Sequence, residues 1–136
     1  MEEFNLHILE ADSTFYEGKC ISLVIPTTNG SYGILAHHSS MVTVLDTGIV
    51  KFTTPDGERL HAAISGGILR VADNDVLILS ESAEKPDEID EKRVNAAIER
   101  ANKEMLAQKS ASEYRAIQAK LSRALNRLEV KRRYKK

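Results

Sequence analysis

Tryptophan is absent, and cysteine occurs once, at Cys20. A lone thiol excludes an intrachain disulfide and a thiolate metal cluster. Aromatics make up 5% of the chain. Tyr114 and Tyr134 are the only two in the second half, too few for the stacking platform that single-stranded nucleic acid needs. The longest apolar run, Leu23 to Ile25 with its neighbours, is far short of a bilayer span. The start, Met1-Glu2-Glu3, lacks the basic-then-apolar order of a secretory leader. The expectation is a chain on the cytosolic side that reaches a membrane only through protein partners. No glycine-rich phosphate loop of the NTPase type is present, and Ser65-Gly66-Gly67 lacks the order of a nucleophile elbow.

What is present is ordinary in bulk and lopsided in detail. The 136 residues are 42% hydrophobic and 29% charged, as in a globular chain. The net charge of −1 hides a reversal. Residues 1–84 carry 12 acidic and 4 basic side chains, a net of −8; residues 85–136 carry 8 acidic and 15 basic, a net of +7. The stretch Glu81 to Arg93, with Pro86 inside it, joins the two halves. We therefore expect two parts, residues 1–84 and residues 85–136.

The first part has the signature of short strands. Phe4, Leu6 and Ile8 alternate, as in a half-buried strand. Thr14–Gly18 is a second. Cys20–Ile25 is read as a strand covered on both faces and ended by Pro26. Thr27–Gly33 is read as a turn-rich loop. Met41–Leu45, Gly48–Thr53, Arg59–Ile64, Ile68–Val71 and Val76–Leu79 follow as strands, with turns at Pro55-Asp56-Gly57 and Asp73-Asn74-Asp75. Turns at such spacing predict a β-sandwich or flattened barrel.

The second part changes period. Asp87 and Asp90 are candidate helix N-caps. Val94, Ala97, Ile98, Ala101 and Met105 recur at helical spacing. A break is expected at Gln108–Ser112, with Ser110 or Ser112 capping a second helix. Ile117, Leu121, Ala124, Leu125 and Leu128 form its stripe, and the basic tail Lys131–Lys136 is expected to fray. The pair predicts an antiparallel hairpin. Its alanine-rich face buries little apolar area, so the hairpin is expected to open readily.

Four arginines stand out. Arg123 and Arg127 are four apart and Arg93 and Arg100 seven apart, so each pair shares a helix face. On spacing alone they read as solvated surface cations. The sharper reading is a phosphate site, because guanidinium forks match phosphate oxygens, with Asp90 orienting an arginine or bonding a ribose or base. Adjacent His37 and His38 point apart in an extended chain and suit a turn or an interface better than a metal. His7 and His61 have nothing to mark them out. No catalytic triad, carboxylate pair or metal set emerges, so the chain is expected to catalyse nothing by itself.

Several stretches, in this order, resemble one family: Gly33-Ile34-Leu35-Ala36-His37-His38, Ser65-Gly66-Gly67, Asn74–Leu79, Ala83-Glu84, Ile89–Arg93 and Leu121–Val130. From end to end the chain resembles the epsilon subunits of bacterial F-type ATP synthases. The resemblance implies a ten-stranded flattened β-sandwich followed by a two-helix hairpin. It implies a non-catalytic rotor part held by the gamma subunit and seated on the ring of c subunits, peripheral to the cytoplasmic face of the plasma membrane. Asn29, Gly30, Ser31, Tyr32 and Gly33 would face the c ring, and His38 would lie near gamma. The hairpin would act as a brake, extending into the alpha/beta catalytic head to inhibit ATP hydrolysis. Some members bind ATP on the folded hairpin as a regulatory ligand. Ile89, Asp90 and Arg93 match that motif, Arg100, Arg123 and Arg127 stand at the supporting positions, and Glu84 matches an acidic position before the joint. Val94 replaces the motif's alanine. Ala36-His37 replaces a Pro-Gly pair, and Thr27 a glycine. The competing readings are a free-standing nucleic-acid-binding module, or an ATP sensor outside any complex, each using the basic arm.

Overall fold

The computed structural model describes residues 2–107 and 110–134. It divides into two compact units, Met1–Lys85 and Pro86–Lys136. The first is all strand: β1 (Phe4–Leu9), β2 (Thr14–Cys20), β3 (Ser22–Thr27), β4 (Gly30–Ile34), β5 (Met41–Thr53), β6 (Arg59–Ala72), β7 (Asp75–Ser80) and β8 (Ala83–Glu84). They form one hydrogen-bonded sheet in the order β2-β1-β7-β6-β5-β3-β4, with β8 also on β6. All neighbours are antiparallel except β1 and β7, which run parallel from Asn5 opposite Asp75 to Leu9 opposite Leu79.

Among the described residues there are eight strands, where the resemblance implied ten, and β5 and β6 each run through both layers. Their pairing runs from Met41 opposite Val71 to Thr53 opposite Arg59, interrupted only between the Leu45–Gly67 and Thr47–Ser65 pairs. There Gly66 and Gly67 take φ of 98° and 150°. The early half of β5 and the late half of β6 belong with β7, β1 and β2. The late half of β5 and the early half of β6 belong with β3, β4 and β8. Phe4, Leu6 and Ile8 from one side and Leu23, Ile25 and Phe52 from the other meet in a single buried cluster. The continuous sheet is thus folded onto itself as a two-layer sandwich whose inner faces interdigitate.

Three strand readings change. The Thr27–Gly33 loop is mostly strand β4, leaving Thr28-Asn29 as a two-residue turn. Thr27 Oγ1 donates to the Gly30 carbonyl at 2.6 Å and accepts from Asn29 N–H at 3.3 Å. Pro26 does not end β3 but pairs with Ser31 inside it. β3 is bonded to β5 only over Ser22–Val24, so a missing N–H at Pro26 breaks no ladder on that side. Nor is β3 covered on both faces: Leu23 and Ile25 are buried while Val24 is half-buried.

The second unit opens with a 3₁₀ turn at Pro86–Glu88, then α1 (Glu91–Ala107) and α2 (Ala111–Arg133), which pack together. Asp90 caps α1: its Oδ1 accepts from Lys92 N–H at 3.0 Å and Arg93 N–H at 3.3 Å. Ser110 caps α2, its hydroxyl accepting from Glu113 N–H at 3.2 Å. Each cap satisfies donors that a helix start leaves open. The break expected at Gln108-Lys109 and the last residues of the tail, Lys135-Lys136, lie outside the described residues. Through Arg133 the tail is helical rather than frayed. Val94 and Ala101 from α1, and Ile117, Ala124 and Val130 from α2, are buried. Leu125, expected in the stripe, is 48% exposed. Val130, outside that stripe, is fully buried in a helix that contacts both α1 and the 3₁₀ turn.

Candidate functional site

Two groups of residues carry functional expectations, one in each unit.

In the first unit, Asn29 sits in the β3–β4 turn and Gly30, Ser31, Tyr32 and Gly33 form the exposed part of β4. Beyond Ile34 the chain turns sharply. His38 N–H donates to the Leu35 carbonyl at 3.3 Å, and His37 has φ of 64°. A bond from the fourth residue to the first, with φ > 0 at the third, is the type II pattern. The turn brings His38 back over β4. Tyr32 Oη lies 2.8 Å from His38 Nε2, and the two rings meet edge to face with centroids 5.6 Å apart. His38 Nδ1 is 2.7 Å from the Ser39 carbonyl oxygen, which can only accept. Nδ1 therefore carries the proton in the neutral ring, and Nε2 accepts the tyrosine hydroxyl. The sequence placed Tyr32 and His38 in separate roles; the structure makes them one contact.

A second surface feature was not legible in the sequence. Val42, Val44, Ile68 and Leu79 are exposed, at 71%, 64%, 49% and 48%. Val44 pairs with Ile68 and Ile68 with Leu79, so three of them form one row across β5, β6 and β7. Apolar residues occupy both alternating sets of β5, with Leu45 buried. Alternation alone does not say which set faces outward.

In the second unit, the Glu91–Arg132 ion pair at 3.0 Å joins the start of α1 to the end of α2. That contact marks which turns of the two antiparallel helices lie side by side. Counting equal rise from it, Arg100 is level with Arg123, and Arg93 lies within one turn of Arg127. The four arginines thus occupy one stretch of the hairpin. Arg93 and Arg100 are exposed, and Arg123 and Arg127 are half-buried. The remaining expected residues take structural duties. Ile89 and Val94 are 1% and 0% exposed, so in this arrangement neither can touch a ligand. Asp90 serves as the helix cap. Glu84 lies on β8 in the first unit, opposite Ala63 of β6.

His7, which seemed unremarkable in the sequence, bridges three strands. Its Nδ1 is 2.8 Å from Glu17 Oε1 on β2, and its Nε2 is 3.1 Å from Asp75 Oδ1 on β7. Those partners are 10 and 68 residues away, beyond any local pattern. The hydrogen bond that His7 donates to the Glu17 carboxylate raises the His7 pKa above 6.5; partial burial opposes this, and Asp75 adds to it. A raised folded-state value means stabilisation that is full below about pH 6.5 and fades as pH rises through the folded-state pKa. His7→Gln is expected to cost about 0.2–1 kcal/mol at pH 6, the range for exposed ion pairs, and less at pH 8.5. Urea unfolding at the two pH values checks this. An equal cost at both would remove the charge from the account.

The fold is that of a strand sandwich joined to a two-helix unit. Residues 3–86 match the family model described as "ATP synthase, Delta/Epsilon chain, beta-sandwich domain", and residues 87–132 match its "long alpha-helix domain". The chain belongs to this ATP synthase delta/epsilon family. It is similar to the ATP synthase epsilon chain of Caldicellulosiruptor saccharolyticus, 39% identical over 130 residues that cover 96% of this chain and 94% of that one. It is also similar to that of Caldanaerobacter subterraneus, 40% identical over 131 residues, covering 96% and 95%. Among solved structures, a chain of the Euglena gracilis mitochondrial ATP synthase shares the fold with a TM-score of 0.77 at 24% identity, over 88% of this chain and 76% of that one.

Proposed function

We propose that the chain is the epsilon-type subunit of the central stalk of an F-type ATP synthase, a non-catalytic part that couples gamma to the c ring. The observation that carries this reading is the agreement of two divisions. The two family models meet between residues 86 and 87, and the structure separates at Lys85 and Pro86. Both halves of the family's architecture are therefore present, each on its own compact unit. No helix among the described residues is long and apolar enough to cross a membrane. On this reading the chain is held at the cytoplasmic face of a bacterial membrane by its protein partners.

Within that assembly, residues 1–84 seat on the rotor. Asn29, Gly30, Ser31, Tyr32 and Gly33 face the c ring, and His38 meets gamma. The exposed apolar row of Val44, Ile68 and Leu79, with Val42 on the same face of β5, supports a protein partner for this unit. A gamma-binding measurement tests it. His38→Ala is expected to weaken binding, and unchanged affinity would refute the contact.

Residues 85–136 form the brake. Extended toward the alpha/beta head, a helical segment with a net charge of +7 suits acidic partner surfaces. Folded, it presents Arg93, Arg100, Arg123 and Arg127 to the phosphates of ATP, a regulatory ligand. Loss of a charge-assisted phosphate contact is worth roughly 1.5–3 kcal/mol. Arg123→Ala is therefore expected to weaken ATP binding by about 30-fold in calorimetric titration. Equal binding by mutant and wild type would remove the site, and no binding by either would leave the hairpin answering only to its protein partners.

A further inference from the structure

We infer that Asn74 is a positioning residue for the gamma-facing turn, holding His37 in a left-handed conformation so that His38 is presented correctly. The inference rests on the reading of His38 as a gamma contact.

Asn74 sits in the two-residue turn between β6 and β7, where Asp73 and Asn74 have φ of 50° and 61°. Positive φ at both central residues is the hairpin-favoured type I′ geometry, and asparagine tolerates it well. With its backbone held this way, Asn74 reaches two other segments. Its Oδ1 accepts from His37 N–H at 2.7 Å, and its Nδ2 donates to the Glu3 carbonyl at 2.9 Å. Its own carbonyl accepts from Asn5 N–H at 3.2 Å. One half-buried side chain thus ties the β6–β7 turn to the lead into β1 and to the Leu35–His38 turn.

The position it supports needs help. The third residue of a type II turn normally is glycine, because a Cβ disfavours φ > 0. Here it is histidine, at φ of 64°. Two contacts offset that strain: the Asn74 hydrogen bond, and an exposed ion pair of His37 Nε2 with Glu2 Oε2 at 3.0 Å. Exposed pairs contribute little, so the amide bond to Asn74 is the main brace. If the His37 backbone relaxed toward negative φ, the turn would open. His38 would then leave Tyr32, to which its Nε2 is bonded at 2.8 Å.

The test is a set of full-length variants measured for affinity to purified gamma and for hydrogen exchange at the His37 amide. Asn74→Gly keeps the turn's φ while removing both side-chain bonds. It is expected to speed His37 exchange and weaken gamma binding about five- to tenfold, the scale of one hydrogen bond. Asn74→Asp keeps the acceptor and loses the donor, and is expected to bind within about twofold of wild type. His37→Gly removes the strain, so the His37→Gly/Asn74→Gly pair is expected to recover most of the lost affinity. A purely structural role for Asn74 would not be rescued at His37. Unchanged affinity in Asn74→Gly, or no recovery in the double variant, overturns the inference. His38→Ala separates the two layers: if it binds gamma as wild type does, the gamma-contact reading fails and the inference with it. If His38→Ala is weak while Asn74→Gly is not, the inference alone fails.

Discussion

Gly67→Ala is expected to destabilise the strand unit by about 4 kcal/mol, through overpacking and a backbone angle that disfavours side chains. A Cβ there would fall inside contact distance of the Leu79 carbonyl oxygen, 3.0 Å from its carbonyl carbon and 3.1 Å from Ser80 Cα. These are backbone atoms of the β7 ladder, so no side chain can swing aside. The φ of 150° adds to the cost. The site is also where β5 and β6 fold over, and it is bonded on the far side. Ser80 Oγ lies 2.5 Å from the Gly66 carbonyl and 2.9 Å from that of Ser82, and Ser65 and Ser82 hydroxyls meet at 3.0 Å. A domain of this kind is stable by only about 5–15 kcal/mol. Urea unfolding should therefore show a large drop in midpoint for Gly67→Ala. A cost below about 1 kcal/mol would mean that the two layers do not depend on this crossover.

Removing residues 86–136 is expected to raise ATP hydrolysis by the assembled complex while leaving the strand unit bound to gamma. If the arm holds about nine complexes in ten in the inhibited state, the rate rises about tenfold. The two units are separately compact, with the cut at Lys85 and Pro86. The strand core, from Phe4 to Ala83, is complete without the helices. A shortened chain that fails to bind gamma would contradict the assignment of seating to the strands. One that binds and leaves hydrolysis unchanged would contradict the brake.

How much of this could be read from the chain depended on how local each signal is. Alternation identified β1, where Phe4, Leu6 and Ile8 are all buried, and helical spacing found α1 and α2, with Ser110 the cap of the two serines the sequence offered. The residue pattern split β6 at Ser65-Gly66-Gly67 and β5 between Leu45 and Gly48, because glycines that fold a continuous strand look like a strand end. β4 was hidden because Gly30, Ser31 and Gly33 bring almost no apolar signal, and its strand character comes from ladder bonds to β3. The Tyr32–His38 contact, the His7 bridge and the reach of Asn74 to His37 join residues that only the folded sheet makes neighbours. In the helical unit the motif residues were found, but their duties divided. Arg93 and Arg100 are exposed and Arg123 and Arg127 half-buried, whereas Ile89 and Val94 are buried and Asp90 caps α1.

The most direct measurement is incorporation into a synthase that lacks its own epsilon chain, in sealed vesicles, with copy number and ion-driven ATP synthesis read together. The expected result is one copy of this chain in each central stalk and synthesis restored. A chain that stays free in the presence of gamma and the c ring, with synthesis unrecovered, would contradict a role in the rotor.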